Sequence, residues 1–114
     1  SDLQEISGLA FQFRNATLVR QIKVDHCQSG VKLFMPDRFI GGVIGKKGMN
    51  LGKLKNIYSA FVETPNYQER KHFTIYGEDE VIQQVIKYLH DYITTKNGIQ
   101  LRVFCKDREV YFTE

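Results

Sequence analysis

Glycine and lysine are concentrated in one stretch of this sequence in a way that suits phosphate chemistry. Five of the nine glycines (Gly41, Gly42, Gly45, Gly48 and Gly52) fall between positions 41 and 52. The same neighbourhood is free of acid. Between Asp37 and Glu63 the charged residues are Arg38, Lys46, Lys47, Lys53 and Lys55, so this window carries +5 and the rest of the chain −2. Glycines without Cβ atoms let another chain approach the backbone closely and permit positive φ. Gly45-Lys46-Lys47-Gly48 immediately precedes a helical pattern, whose first N–H groups and dipole attract an anion. Lysines at such a loop tip add long, mobile positive charge. A nucleotide P-loop requires Gly-x-x-x-x-Gly-Lys-Ser/Thr, and no register of Gly41 to Gly52 supplies it. Gly-x-Gly-x-x-Gly is absent as well, and no parallel βαβ unit surrounds the stretch. The expectation is therefore a phosphate backbone and no nucleotide cofactor.

Other reactive side chains are scattered. Cys27 and Cys105 form no CxxC pattern and are read as reduced, packed thiols. His26, His72 and His90 have no metal-ligand spacing with them. Neither a nucleophile–base pair nor a paired-carboxylate site is visible, so no catalysis, no metal and no cofactor is expected.

The elements that must hold the loop follow from periodicity. At 114 residues, 42% hydrophobic and 25% charged, the chain suits one ordinary domain. No apolar run of membrane-spanning length occurs, and no membrane partner is expected. No secretory signal or transit-peptide pattern opens the chain. Residues 1 to 8 read as a frayed end, and Leu9, Phe11 and Phe13 as a short strand. Thr17 to Cys27 reads as extended chain, and Gln28-Ser29-Gly30 as a turn. Val31 to Met35 is a strand stopped by Pro36. Asp37 to Ile44 is a short helix, with Asp37 placed to cap it. After the glycine loop, Met49 to Tyr58 is a second helix with Leu51, Leu54, Ile57 and Tyr58 on its apolar side. Ala60 to Thr64 and His72 to Tyr76 are strands. A long helix from Glu78 to about Thr95 carries the apolar stripes Ile82, Ile86, Leu89, Ile93 and Val81, Val85, Tyr88, Tyr92. Ile99 to Cys105 and Glu109 to Thr113 form a terminal hairpin.

In this order, Val31-Lys-Leu-Phe-Met-Pro36, Gly41-Gly-Val-Ile-Gly-Lys-Lys-Gly48, the spaced Leu51, Leu54 and Ile57, Phe61-Val-Glu-Thr-Pro65 and His72-Phe-Thr-Ile-Tyr-Gly77 resemble the KH (K-homology) RNA-binding domain. The helix from Glu80 with Val81, Val85 and Leu89 completes a resemblance that spans residues 31 to 95. Because the last strand and helix follow the core, it is similar to the eukaryotic-type (class I) arrangement. The implied fold is α+β, β-α-α-β-β-α, with a three-stranded antiparallel sheet packed on three helices plus extra terminal strands. The implied domains are an N-terminal β extension at 1–30, the KH domain at 31–95 and a C-terminal hairpin at 96–114 packed on the same domain.

The resemblance also implies a mechanism. The loop clamps a single-stranded backbone of about four nucleotides, whose bases lie in an apolar groove. Gly41, Gly42, Val43 and Ile44 would form the helix side, and Gly45, Lys46, Lys47 and Gly48 would hold phosphates. Leu51 would pack under a base with Lys55 flanking it. Val62 and Thr64 would serve the groove floor and base edges, and Arg70 or Lys71 the far rim. Each apolar member also has a core reading; Leu54, Ile57 and Tyr58 are read as core alone, and Lys53 and Arg38 as solvated charges. Gly52 and the Tyr58-Ser59 turn depart from the usual family pattern. The expected partner is single-stranded RNA, with single-stranded DNA as a lesser ligand, in the cytoplasm or the nucleus. The alternative is a protein-interaction or homodimer scaffold that docks through the β-rich ends by strand addition. A further alternative is a subunit lending this surface to a larger RNA-processing enzyme.

Overall fold

Val31-Lys32-Leu33-Phe34 alternates like a half-buried strand, and Pro36 lacks the backbone donor needed to continue it. The computed structural model describes residues 4–6, 30–65, 72–106 and 108–114. It begins with a short strand β1 at Gln4–Ile6 and places β2 at Val31–Phe34. Helix α1 (Asp37–Ile44) follows, then a single 3-10 turn at Lys46–Gly48 and helix α2 (Met49–Tyr58). Strands β3 (Phe61–Glu63) and β4 (His72–Tyr76) lead to the long helix α3 (Asp79–Asn97), and the hairpin β5 (Arg102–Lys106) and β6 (Glu109–Thr113) ends the chain. From β2 to α3 this is the β-α-α-β-β-α order that the resemblance implies.

Burial follows the alternation. Val31 and Leu33 on β2, Phe73 and Ile75 on β4, and Val110 and Phe112 on β6 are all at most 2% exposed. The α3 stripe meets them, with Ile82, Val85, Ile86, Leu89 and Ile93 buried in the same cluster. A helix so broadly apolar has to lie across a sheet. Cys105 is a free thiol sealed in this layer, and burial pushes its pKa up.

The sheet is larger than a three-stranded antiparallel one. Among the described residues, six strands run in the order β1-β5-β6-β2-β4-β3. The β2–β4 and β4–β3 pairs are antiparallel, which is the expected three-stranded part. The terminal hairpin adds to it through β6, parallel to β2, with Leu33 opposite Val110. β2 would otherwise present an open edge of unpaired backbone groups, and the hairpin closes it. An incoming strand therefore has no access to β2; among the described residues the sheet ends at β1 and β3.

Several local expectations change. Within the stretch read as a frayed end, Gln4–Ile6 form a strand instead, and β1 pairs antiparallel with β5. Arg102 grips Glu5 with both arms, at 2.8 and 2.9 Å, and holds its carboxyl below the usual carboxylate range. Three residues carry too little alternation for that strand to be legible alone. Pro36, not Asp37, occupies the cap position of α1; Asp37 lies in the first turn, where its charge favours the helix dipole. Ile57, expected in the core, is 62% exposed. The hairpin starts at Arg102 instead of Ile99, and α3 ends on a left-handed Gly98. The strand read at Leu9, Phe11 and Phe13, the extended stretch Thr17 to Cys27 and the rim residues Arg70 and Lys71 lie outside the described residues.

Candidate nucleic-acid interface

The glycine loop is the junction of two helices, and its conformation explains the residue types. Gly45 ends α1 at φ +82°, and its N–H donates to the Gly41 carbonyl at 3.0 Å. Gly48 opens α2 at φ +75°, and its N–H donates to the Gly45 carbonyl at 3.1 Å. A side chain at either position would be strained. Between them Lys47 adopts φ +56° and ψ 29°, a left-handed conformation uncommon for a lysine. Strain of this kind persists where the surroundings impose it, and it collects at functional sites. Here both lysine side chains are exposed at the tip of the junction.

Asn50 ties the two sides of this junction together. This side chain is 8% exposed, and its Nδ2 donates to the Val43 carbonyl at 2.8 Å, one of the unsatisfied acceptors in the last turn of α1. Tyr88 of α3 donates to Asn50 Oδ1 at 3.4 Å, and Tyr92 donates to the Gly42 carbonyl at 3.3 Å. One buried amide thus ties the end of α1 to the start of α2, with α3 bracing both. Sequence reasoning did not single out Asn50. Its signal was a polar residue four places before Leu54, on the inward side of α2.

The expected site residues divide into three groups. Gly41 and Gly42 are exposed on α1, and Lys46, Lys47, Lys55 and Thr64 are exposed around the loop, α2 and the end of β3. Ile44, Leu51 and Val62 are half-buried, packed against the core while keeping some surface. Val43 differs: it is wholly buried and lends only its carbonyl to the junction, so it presents no side chain to a ligand. The reason is helical geometry, since Val43 shares the inward face of α1 with Phe39 and Ile40. Arg70 lies outside the described residues.

Charge is sharper here than a count suggests. Arg38 is spent, since its guanidinium pairs with Glu114 and lies 4.3 Å from the centre of the Phe39 ring. Among the described residues, Lys46, Lys47, Lys53 and Lys55 have no carboxylate partner. The first turn of α2 contains no acid, and no side chain caps its N-terminus. The positive end of that helix dipole therefore adds to the field of the lysines instead of being cancelled.

Two exposed α1 glycines complete the surface. A Cβ built on Gly41 or Gly42 meets nothing within 4 Å, so the fold has no steric need of glycine at either place. Glycine inside a helix costs about 0.5–1 kcal/mol relative to alanine. Two such residues in an eight-residue helix leave a smooth, open backbone beside the loop.

The family model for the KH domain matches residues 30–91, more than half of the chain. The chain belongs to the KH domain family. KH domains are generally non-catalytic RNA-binding modules, and membership implies binding of single-stranded nucleic acid. Comparison with curated proteins and with solved structures returned no match.

Proposed function

We propose that this KH domain binds single-stranded RNA, with Gly45-Lys46-Lys47-Gly48 gripping the phosphate backbone. The observation that carries the reading is the exposed Lys46-Lys47 tip, with Lys47 held left-handed, set on an uncapped helix N-terminus and without a carboxylate partner among the described residues. Bases then lie along the surface that Ile44, Leu51 and Val62 share, with Gly41 and Gly42 leaving room on one side. Lys55 and Thr64 supply polar contacts at its edges. Single-stranded DNA shares the phosphates and bases and is the lesser ligand. The module works where RNA is available, in the cytoplasm or the nucleus. One module of this size grips few nucleotides, so useful affinity comes from neighbouring modules on the same RNA.

The test is a titration of labelled single-stranded RNA over a range of salt concentrations. Each phosphate neutralised on a single strand contributes roughly −0.7 to the slope of log affinity against log salt. Two or three lysine–phosphate contacts therefore give a slope of about −1.4 to −2.1. The matched duplex should bind much more weakly, since its bases are not free to enter the groove. A flat salt response, or equal binding of duplex and single strand, would overturn the reading.

Gly41 and Gly42 supply an independent check. Alanine at either position should raise stability by about 0.5–1 kcal/mol in chemical denaturation, because the methyl group meets open space in a helix. The same substitutions should weaken RNA binding, because the methyl group occupies the approach of the strand. A stabilised protein with undiminished RNA affinity would remove α1 from the interface.

A further inference from the structure

A second surface lies on α3, outside the groove between α2 and β3. It is a cleft of about 780 Å³, within the size range of small-ligand sites. Its wall is aromatic: Tyr58 from the end of α2 meets Tyr88 edge-on, and Tyr88 and Tyr92 lie parallel within 10° at a centroid separation of 6.2 Å. Its polar rim carries Lys87, Asp91 and Lys96.

The charges are unequal in availability. Lys87 is neutralised by Asp91 at 2.8 Å. Among the described residues Lys96 has no carboxylate partner; its Nζ lies 5.4 Å from the centre of the Tyr92 ring and donates to the Tyr92 hydroxyl at 3.2 Å. A planar π surface beside a cation that no described carboxylate neutralises fits a nucleotide, the ring accepting the base and the ammonium the phosphate. An acidic or purely apolar partner would leave one half of that pair unused.

Position names the source of the nucleotide. Tyr92 donates to the carbonyl of Gly42, and Tyr88 to Asn50, so the cleft abuts the same junction that presents Lys46 and Lys47. We infer that Tyr92 and Lys96 form a stacking subsite for a nucleotide of the same RNA strand, outside the four-nucleotide grip of the groove. The inference rests on the RNA reading above and extends the footprint of the domain around α1 onto α3. An RNA that spans both surfaces is held by one more stacked base and one more phosphate.

Fluorescence anisotropy with random-sequence RNA pools of four and eight nucleotides tests it on the full chain. Relative to Tyr92→Phe, which also lacks the hydroxyl that braces Gly42, Tyr92→Ala should weaken binding of the eight-nucleotide pool roughly five- to hundredfold, the range of one lost base–aromatic stack, and leave the four-nucleotide pool within about twofold. Tyr92→Phe keeps the ring and should retain most of the affinity. Lys96→Ala, at an exposed position that cannot disturb the core, should lower the salt slope for the longer pool by about 0.7. Unchanged binding of the longer pool by both Tyr92→Ala and Lys96→Ala overturns the inference, as does an equal loss for both lengths. If wild type binds the pools and only the Lys46→Asp, Lys47→Asp variant fails, the groove reading stands and the subsite falls. If wild type binds neither pool, both fall.

Discussion

Lys46→Asp combined with Lys47→Asp is expected to cost at least about a hundredfold in RNA affinity and to leave the fold intact. Two reversed charges replace attraction for phosphate by repulsion, and like-charge contacts at an interface cost several kcal/mol. The structure explains why stability should survive. Both side chains are exposed, and substitutions of that kind usually stay within about 0.5 kcal/mol. Aspartate also tolerates the left-handed region better than lysine, and Lys47 sits at φ +56°. An acid here stands beside the N-terminus of α2, where the dipole favours it. The double variant should therefore unfold at the same denaturant concentration as wild type, or slightly higher, while its binding isotherm flattens. Equal isotherms would remove the loop from the mechanism, and early unfolding would show that the lysines serve the fold.

The second large effect is an asymmetry between the two loop glycines. A Cβ on Gly45 would come within 2.8 Å of the backbone nitrogen and of the Cβ of Asn50, at φ +82°. Those atoms belong to the first turn of α2 and to the amide that holds Val43, so nothing there yields cheaply. A Cβ on Gly48, at φ +75°, meets nothing within 4 Å. Gly48→Ala should therefore cost only the conformational strain, about 1–2 kcal/mol. Gly45→Ala should cost that strain plus the steric overlap, about 2–4 kcal/mol, and should displace Lys46 and Lys47 enough to weaken RNA binding as well. Urea denaturation of the two variants side by side reads the difference directly. Equal costs would mean that the Asn50 junction relaxes freely and does not impose the loop conformation.

The largest sequence-legible feature was the loop. Glycine pairs, lysines and the absence of acid are local properties, and the junction between two short helices follows from where Gly45 and Gly48 interrupt the helical pattern. The α3 stripe was equally legible, since a period of 3.6 over 19 residues is a strong signal. Ile57 was misjudged, and Val43 took the core reading of the two open to it. Both are apolar and sit on short helices, where a stripe of two or three residues fits more than one helix orientation. Which of them faces the core depends on where α3 and the sheet lie, and neither is written near α1 or α2. Asn50 was passed over because a polar residue in a helix gives no hint of its partner. The Val43 carbonyl is close in sequence, but Tyr88 is 38 residues away.

By itself the sequence determined the order and type of the elements from Val31 to Asn97, the phosphate-suited loop and the KH resemblance. Turn glycines, strand alternation and helix periodicity act over a few residues, so they survive in the bare chain. Tertiary structure decided the six-stranded order, the parallel seat of β6 on β2, the antiparallel β1, and the buried amide that braces the loop. Those outcomes depend on contacts between segments remote along the chain. Their energy comes from closing an open strand edge and from satisfying buried polar groups, and it exists only after distant surfaces meet. The basic charge divides the same way. Composition counted five positive residues in the window, but only the fold pairs Arg38 with Glu114 and leaves four lysines without a carboxylate partner among the described residues.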